Sequence, residues 1–313
     1  MNNKIGILLL LSVLGCNNDP YPSYQEGEVL VRLSSEINYS SGIEMEPLIT
    51  PDGQELVYTD AYAEYPNRYR LMRLNLFTNK ESIIHPYGHH IDISSDGQWL
   101  AFVSNSEISK IKLTGDSLKA LTRGCSPTWH PNNQTIAFAL SCTGAGQTSG
   151  IYTLDSHGSS KFVTSNGWNP DFFPDEKKMV FVTRSAGIKF SIFDIATSTE
   201  VTQLEATPNQ DIKNPKISPD GKQIVYWNYD GIYITKVDGT GVRKLLPHQH
   251  FYEGKEGNYI GFKASSPSWH PDGKHIIYQH FAITERFICP SDYCATVKTF
   301  SGILNIRKLK VRD

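Results

Sequence analysis

The sequence predicts an all-β protein: a six-bladed β-propeller of four-stranded antiparallel blades, its ring closed by an N-terminal strand that completes the last blade. Three observations predict it. A turn-and-strand unit recurs six times, its copies are spaced at the period of a propeller blade, and most copies are followed by a second strand–turn–strand segment.

The six copies are ITPDGQELVYTD from Ile49, ISSDGQWLAFVSN from Ile93, WHPNNQTIAFAL from Trp129, FFPDEKKMVFVTR from Phe172, ISPDGKQIVYWN from Ile217 and WHPDGKHIIYQH from Trp269. Their equivalent turn residues are Pro51, Ser95, Pro131, Pro174, Pro219 and Pro271, separated by 44, 36, 43, 45 and 52 residues. Each copy is an apolar residue, a turn and an apolar strand. Proline presets φ for the first turn position, Asp or Asn bonds its own backbone, and Gly accepts positive φ. Asp52-Gly53, Asp96-Gly97, Asp220-Gly221 and Asp272-Gly273 carry the full hairpin signal, while Asn132-Asn133 and Asp175-Glu176 are weaker versions. The strands that follow are rich in β-branched and aromatic residues, as in Leu56-Val57-Tyr58 and Ile224-Val225-Tyr226.

The second strand pair of a blade is read in ISKIKLTGDSLKALT from Ile108, GIYTLDSHGSSKFVTS from Gly150, IKFSIFDIATSTEVTQL from Ile188 and GIYITKVDGTGVRKLL from Gly231. The last unit ends in a single further strand, GILNIRKLKVRD from Gly302. Its missing outer strand is expected from EVLVRLSSEI, residues 28–37. Such a closure leaves fewer open edges to invite aggregation. No long amphipathic helix is visible, and the strands leave no room for a second domain.

These WxPDGxxIxF-like units resemble the WD-like β-propeller repeat family, of which the TolB propeller is a member. The resemblance covers roughly residues 28–313. It implies the fold and says little about activity, because one fold hosts many functions. TolB carries a further N-terminal domain, whereas here only a short polar stretch precedes the first strand, so its role is not carried over.

The N-terminus reads as a secretory signal. Lys4 precedes an apolar run from Ile5 to Leu14, too short to span a bilayer. Val13-Leu14-Gly15-Cys16 resembles the bacterial lipobox, with Leu14 bulkier than is usual there. The resemblance implies residues 1–15 as a cleaved signal peptide, lipidation at Cys16, residues 16–27 as a tether and residues 28–313 as the propeller. The chain is then expected in the bacterial cell envelope, anchored by its lipid, with the outer membrane as its site. The net charge of −2 and the lack of a basic block argue against nucleic acid. Besides Cys16, four cysteines remain: Cys125, Cys142, Cys289 and Cys294. An even number in an exported chain points to disulfides, and CxxC spacing of the zinc type is absent.

In a propeller the strand leading into each PDG turn is innermost, so residues at its start surround the channel mouth. Five positions before each turn residue stand Glu46, His90, Ser126, Asn169, Asn214 and Ser266, all polar. Pro47, Pro127, Pro170, Pro215 and Pro267 follow five of them, as suits a strand entry. A polar ring around a concave mouth is a candidate binding site, and it is also what a water-filled channel needs. Asp92, Asp171 and Lys216 are placed to project deeper, and Asp92 with Asp171 offers oxygen ligands to a divalent cation. His85, His89 and His90 lie between the first two blades. His248 and His250 lie in a long connection, residues 247–266, before the last; all five are expected on the mouth face. His89, His90, His248 and His250 are the candidate metal ligands. His130 and His270, in the WHP turns, are expected on the opposite face.

No GxSxG elbow, P-loop or GxGxxG is present. The favoured reading is a non-catalytic module presenting its ring to an envelope protein, peptide or glycan. The alternative is a metal-dependent polysaccharide lyase or hydrolase, since oligogalacturonate lyases are similar in repeat type and use His and Gln around a metal. His248-Gln249-His250 matches that set only superficially, so no catalytic role is transferred.

Overall fold

We describe the fold from a computed structural model, which describes residues 27–33, 46–61, 69–141, 150–183, 188–204, 212–253, 258–286 and 299–311. The described residues form strands and turns, with no helix. Strand β1 (Glu28–Leu33) is followed by blade 1, made of β2 (Leu48–Ile49), β3 (Glu55–Ala61), β4 (Tyr69–Asn75) and β5 (Lys80–His85). Blade 2 comprises β6 (His89–Ile93), β7 (Trp99–Ser104), β8 (Glu107–Lys112) and β9 (Lys119–Arg123). Blade 3 comprises β10 (Cys125–Trp129), β11 (Ile136–Ala139), β12 (Gly150–Leu154) and β13 (Ser160–Ser165). Blade 4 comprises β14 (Gly167–Phe172), β15 (Lys178–Thr183), β16 (Lys189–Asp194) and β17 (Thr199–Leu204). Blade 5 comprises β18 (Lys213–Ile217), β19 (Gln223–Asn228), β20 (Gly231–Lys236) and β21 (Arg243–Pro247). β22 (Gln249–Glu253) leads into blade 6, built from β23 (Asn258–Trp269), β24 (His275–Arg286) and β25 (Thr299–Lys310). Blades 1 to 5 are antiparallel meanders in chain order, and β1 pairs antiparallel with β25 as the outermost strand of blade 6.

The repeat's turn chemistry forms as its residues dictate. Thr50, Ser94 and Ser218 each turn a hydroxyl onto the turn Asp, at 2.6 Å from Asp52, Asp96 and Asp220. The same hydroxyls accept the N–H of the residue that opens the next strand, Glu55, Trp99 and Gln223. The glycine of each full copy has φ between 66° and 74°, and in the weaker copies Asn133 and Glu176 adopt the same left-handed conformation. In the WHP turns the imidazole replaces the hydroxyl: Asn132 N–H and Asp272 N–H donate to Nδ1 of His130 and His270.

The core lies between blades. Val57 and Leu71 of blade 1 pack with Ile91, Leu100 and Phe102 of blade 2. A larger cluster runs from Val103 through Phe138, Phe181 and Phe190 to Tyr226, linking blades 2 to 5. Val225 and Trp227 pack with Ile276 and Tyr278 between blades 5 and 6. Ile277 and Ile306 of blade 6 meet Leu56 and Tyr58 of blade 1, which closes the ring by apolar burial.

One sequence expectation changes. Most of the connection before blade 6 is strand: β22 pairs with the first half of β23, Gln249 opposite Phe262 through Glu253 opposite Asn258. The strands of blade 6 are twelve residues long, about twice those of the other blades. Strand pairing thus satisfies the backbone of most of this connection.

Candidate functional site

The innermost strands stand side by side around the axis, β6 against β10, β10 against β14, β14 against β18, β18 against β23 and β23 against β2. Their entry residues converge. Glu46, His90, Ser126, Asn169, Asn214 and Ser266 line one open pocket, with Pro47, Pro127, Pro170, Pro215 and Pro267 between them.

A backbone device positions this ring. His90, Ser126, Asn169, Asn214 and Ser266 all have left-handed φ, between 45° and 50°. Each sits at a bulge where the innermost strand slips against its neighbour, for example between Cys125 and Thr128 and between Lys213 and Lys216. Short polar side chains tolerate this conformation. The following Pro disfavours the right-handed helical region at its predecessor and brings no N–H that the bulge would leave unpaired. In blade 2 the following residue is Ile91, and its N–H is met by Glu46 Oε2 at 2.7 Å.

Each blade is stitched to the next at this level. Glu46 reaches Ile91 across blades 1 and 2, and Asp92 Oδ2 accepts Trp129 N–H at 2.7 Å across blades 2 and 3. Asn169 Nδ2 donates to Ser126 Oγ at 2.9 Å, and Asp171 Oδ2 accepts Ile217 N–H at 2.8 Å. Trp269 Nε1 donates to Lys216 O at 3.0 Å, and Ser268 Oγ donates to Pro47 O, joining blade 6 to blade 1.

Below the mouth, Lys216 Nζ lies 3.0 Å from Asp171 Oδ1 and 3.3 Å from Asp92 Oδ1. Thr128 Oγ1 donates toward both carboxylates. A cation expected between Asp92 and Asp171 is thus supplied by the chain's own ammonium, and all four carboxylate oxygens have partners. Burial opposes the charge of Lys216, but Asp171 and Asp92 outweigh it and hold the ammonium above its usual range. Burial likewise pushes Asp171 up, against the pull of Lys216 and with the push of Asp92.

The histidines separate into different environments. His89 is held down to about 4 by burial and then by neighbouring His90, whose ring centroid lies 4.6 Å away. His90 Nε2 is 3.9 Å from Glu46 Oε1 at the mouth. His85 Nδ1 is 2.6 Å from Tyr87 O. His248 places Nδ1 2.6 Å from Tyr229 O and Nε2 2.7 Å from Ala264 O. Both ring nitrogens are thus turned to main-chain carbonyl oxygens. The side chain of His250 lies outside the described residues. Among the described residues, no three His, Cys, Asp or Glu side chains are grouped as metal ligands. His270 sits in another cluster, its Nδ1 3.0 Å from Asp272 Oδ2 and its Nε2 3.2 Å from Lys308 Nζ. Cys125 is buried at the start of β10; Cys16, Cys142, Cys289 and Cys294 lie outside the described residues.

The ring of six is legible in the sequence, but the left-handed bulge at five of its positions is not; the signal available was the X-Pro pair repeated at one register. It also missed that Lys216 is the partner of both aspartates, a pairing across blades that only the closed ring creates.

No protein-family model and no curated protein matches the chain. Among solved structures, it is similar to one assigned as TolB from Agrobacterium tumefaciens (18% identity, TM-score 0.54, covering 78% of this chain and 99% of that one). It is also similar to an oligogalacturonate lyase from Vibrio parahaemolyticus (13% identity, TM-score 0.52, 83% and 76%) and to an oligogalacturonate lyase in complex with manganese (15%, 0.51, 83% and 76%). At these identities the shared property is the six-bladed propeller fold.

Proposed function

We propose that this chain is a lipid-anchored protein of the bacterial envelope whose propeller binds a protein, peptide or glycan at the channel mouth without transforming it. One observation carries the reading: six polar side chains, one from each blade, line a single mouth. Left-handed bulges and bonds between blades fix them in advance, which lowers the ordering cost of binding. The aspartates beneath are committed to Lys216 and to backbone N–H groups, so they serve the ring's rigidity.

The location follows from the N-terminal sequence: residues 1–15 as signal peptide, Cys16 as the lipidated residue, 16–27 as tether and 28–313 as the ring. Cys142 is the proposed disulfide partner of Cys125. Cys125 pairs across the ladder with Ala139, three residues before Cys142. Cys289 and Cys294 are proposed as the second pair.

The test places a photo-crosslinking residue at Asn214 in intact cells, with exposed Leu118 as control. A discrete adduct at 214 and none at 118 is expected. Labelling at neither position, or cleavage of oligogalacturonate by the purified chain, would replace the binding reading. Cys16→Ser is expected to move the chain from the membrane to the soluble fraction.

A further inference from the structure

We propose that the outer groove between blades 2 and 3, which shares no lining residue with the channel mouth, binds a small ligand through an oxyanion, a carboxylate or a phosphate. The groove is an open cleft lined from both blades. Lys110 and Lys119 stand on its blade 2 side, Trp129 and Ile136 on its blade 3 side, and Leu121 and Leu154 add apolar surface.

Three features of this groove lack a counter-charge or hydrogen-bond acceptor among the described residues. Lys110 and Lys119 are directly opposed across β8 and β9, an arrangement in which like charges destabilise a sheet. Neither forms an ion pair among the described residues. Lys110 Nζ instead lies 4.8 Å from the ring centroid of Trp99 and 5.9 Å from that of Trp129. Burial and then the charge of Lys119 pull the Lys110 ammonium below its usual range, as expected for a half-buried cation awaiting a counter-charge.

The third feature is Trp129. It is 7% exposed, and its indole N–H is buried with no acceptor among the described residues. An orphaned buried donor is costly, because nothing replaces the water it gave up. The repeat supplies its own control. Trp269 holds the same position in its WHP turn, and its Nε1 donates to a carbonyl of the preceding blade, Lys216 O. Trp129 departs from that pattern and lines the groove. Two ammonium groups and an indole N–H are all donors, and an oxyanion accepts from such groups while bringing the negative charge that the opposed lysines lack. Asp155 also borders the groove, but its Oδ1 already accepts the N–H groups of His157 and Ser159.

The test titrates the purified full chain with inorganic phosphate and, separately, with acetate, against sodium chloride at matched ionic strength. The indole N–H resonance of Trp129, assigned by its loss in Trp129→Phe, reports binding. A saturable shift is expected with phosphate, acetate or both, and none with chloride. Lys110→Gln and Lys119→Gln are each expected to weaken it by about tenfold or more, as loss of a charge-assisted hydrogen bond does. Without added anion, Lys119→Gln is expected to leave stability unchanged or raised, because it removes the opposed charge. Response to phosphate alone assigns a phosphorylated ligand; response to acetate as well assigns carboxylates too. An equal shift with chloride, no shift with either anion, or a shift that survives both lysine substitutions would overturn the proposal.

Discussion

Lys216 Nζ lies 3.0 Å from Asp171 Oδ1, a contact between blades 5 and 4 that also draws in Asp92 of blade 2 at 3.3 Å. Two carboxylates therefore share one ammonium under the channel mouth. Lys216→Met would leave Asp171 buried and Asp92 partly buried without their counter-charge, and removing one partner of a buried pair destabilises by up to about 3–5 kcal/mol. The urea midpoint should fall accordingly. Adding Asp171→Asn should return part of that loss, because an amide needs no cation, and a double-mutant cycle measures the coupling. Additive losses would mean that the two side chains act independently.

The left-handed bulge makes its own demand at Asn214, where φ is 45°. A β-branched residue there meets the steric penalty of that region, on the order of 1–2 kcal/mol. Asn214→Val should therefore destabilise by about that amount, whereas Asn214→Gly, which adopts positive φ freely, should stay within about 0.5 kcal/mol of the parent. Chemical denaturation of the two variants side by side checks the difference. A valine variant as stable as the glycine variant would remove the conformational explanation for polarity at this ring.

The fold was legible because each blade announces itself locally. Asp52-Gly53 and Asp220-Gly221 code their turns within four residues, and the strands after them alternate or fill with β-branched side chains. The mouth was legible as a register, since Glu46 through Ser266 fall at one offset from the turns. What escaped was anything that depends on closing the ring. The partners of Lys216 lie 45 and 124 residues away in sequence, and no local pattern pairs them. The stretch around His248 was read as loop because its strand partner, the first half of β23, extends a blade beyond the usual length. The indole N–H of Trp129 is likewise indistinguishable from that of Trp269 until each is placed against its neighbours.

His89 gives the fold an acid limb. Its folded-state pKa is held down to about 4, first by burial and then by His90, against about 6.5 for the unfolded chain. The unfolded state therefore takes up the proton more readily. The stability His89 contributes is complete above about pH 6.5 and is lost as the pH falls toward about 4, with an upper bound of roughly 3 kcal/mol. Urea midpoints measured across that window should decline for the parent. His89→Phe, which keeps a ring against Tyr69 at a 6.2 Å centroid distance, should flatten the decline. An unchanged slope in the variant would assign the acid limb to other groups.

The two WHP tryptophans allow one hydrogen bond to be weighed within a single molecule. Trp269→Phe removes the indole that donates to Lys216 O at 3.0 Å, and it leaves that carbonyl without this partner. Trp129→Phe removes an indole N–H with no acceptor among the described residues. The change in side-chain volume is the same at both sites, and both residues are more than nine-tenths buried, at 9% and 7% exposed. Loss of apolar area and of ring packing should therefore nearly cancel in the comparison. In buffer free of phosphate and carboxylates, Trp269→Phe should be the more destabilising by about 1 kcal/mol, the net worth of one neutral hydrogen bond. Trp129→Phe gains in addition by deleting a donor that is desolvated to no purpose. Equal losses in urea titrations would mean that Trp129 Nε1 is already satisfied, and would remove one of the three donors assigned to the outer groove.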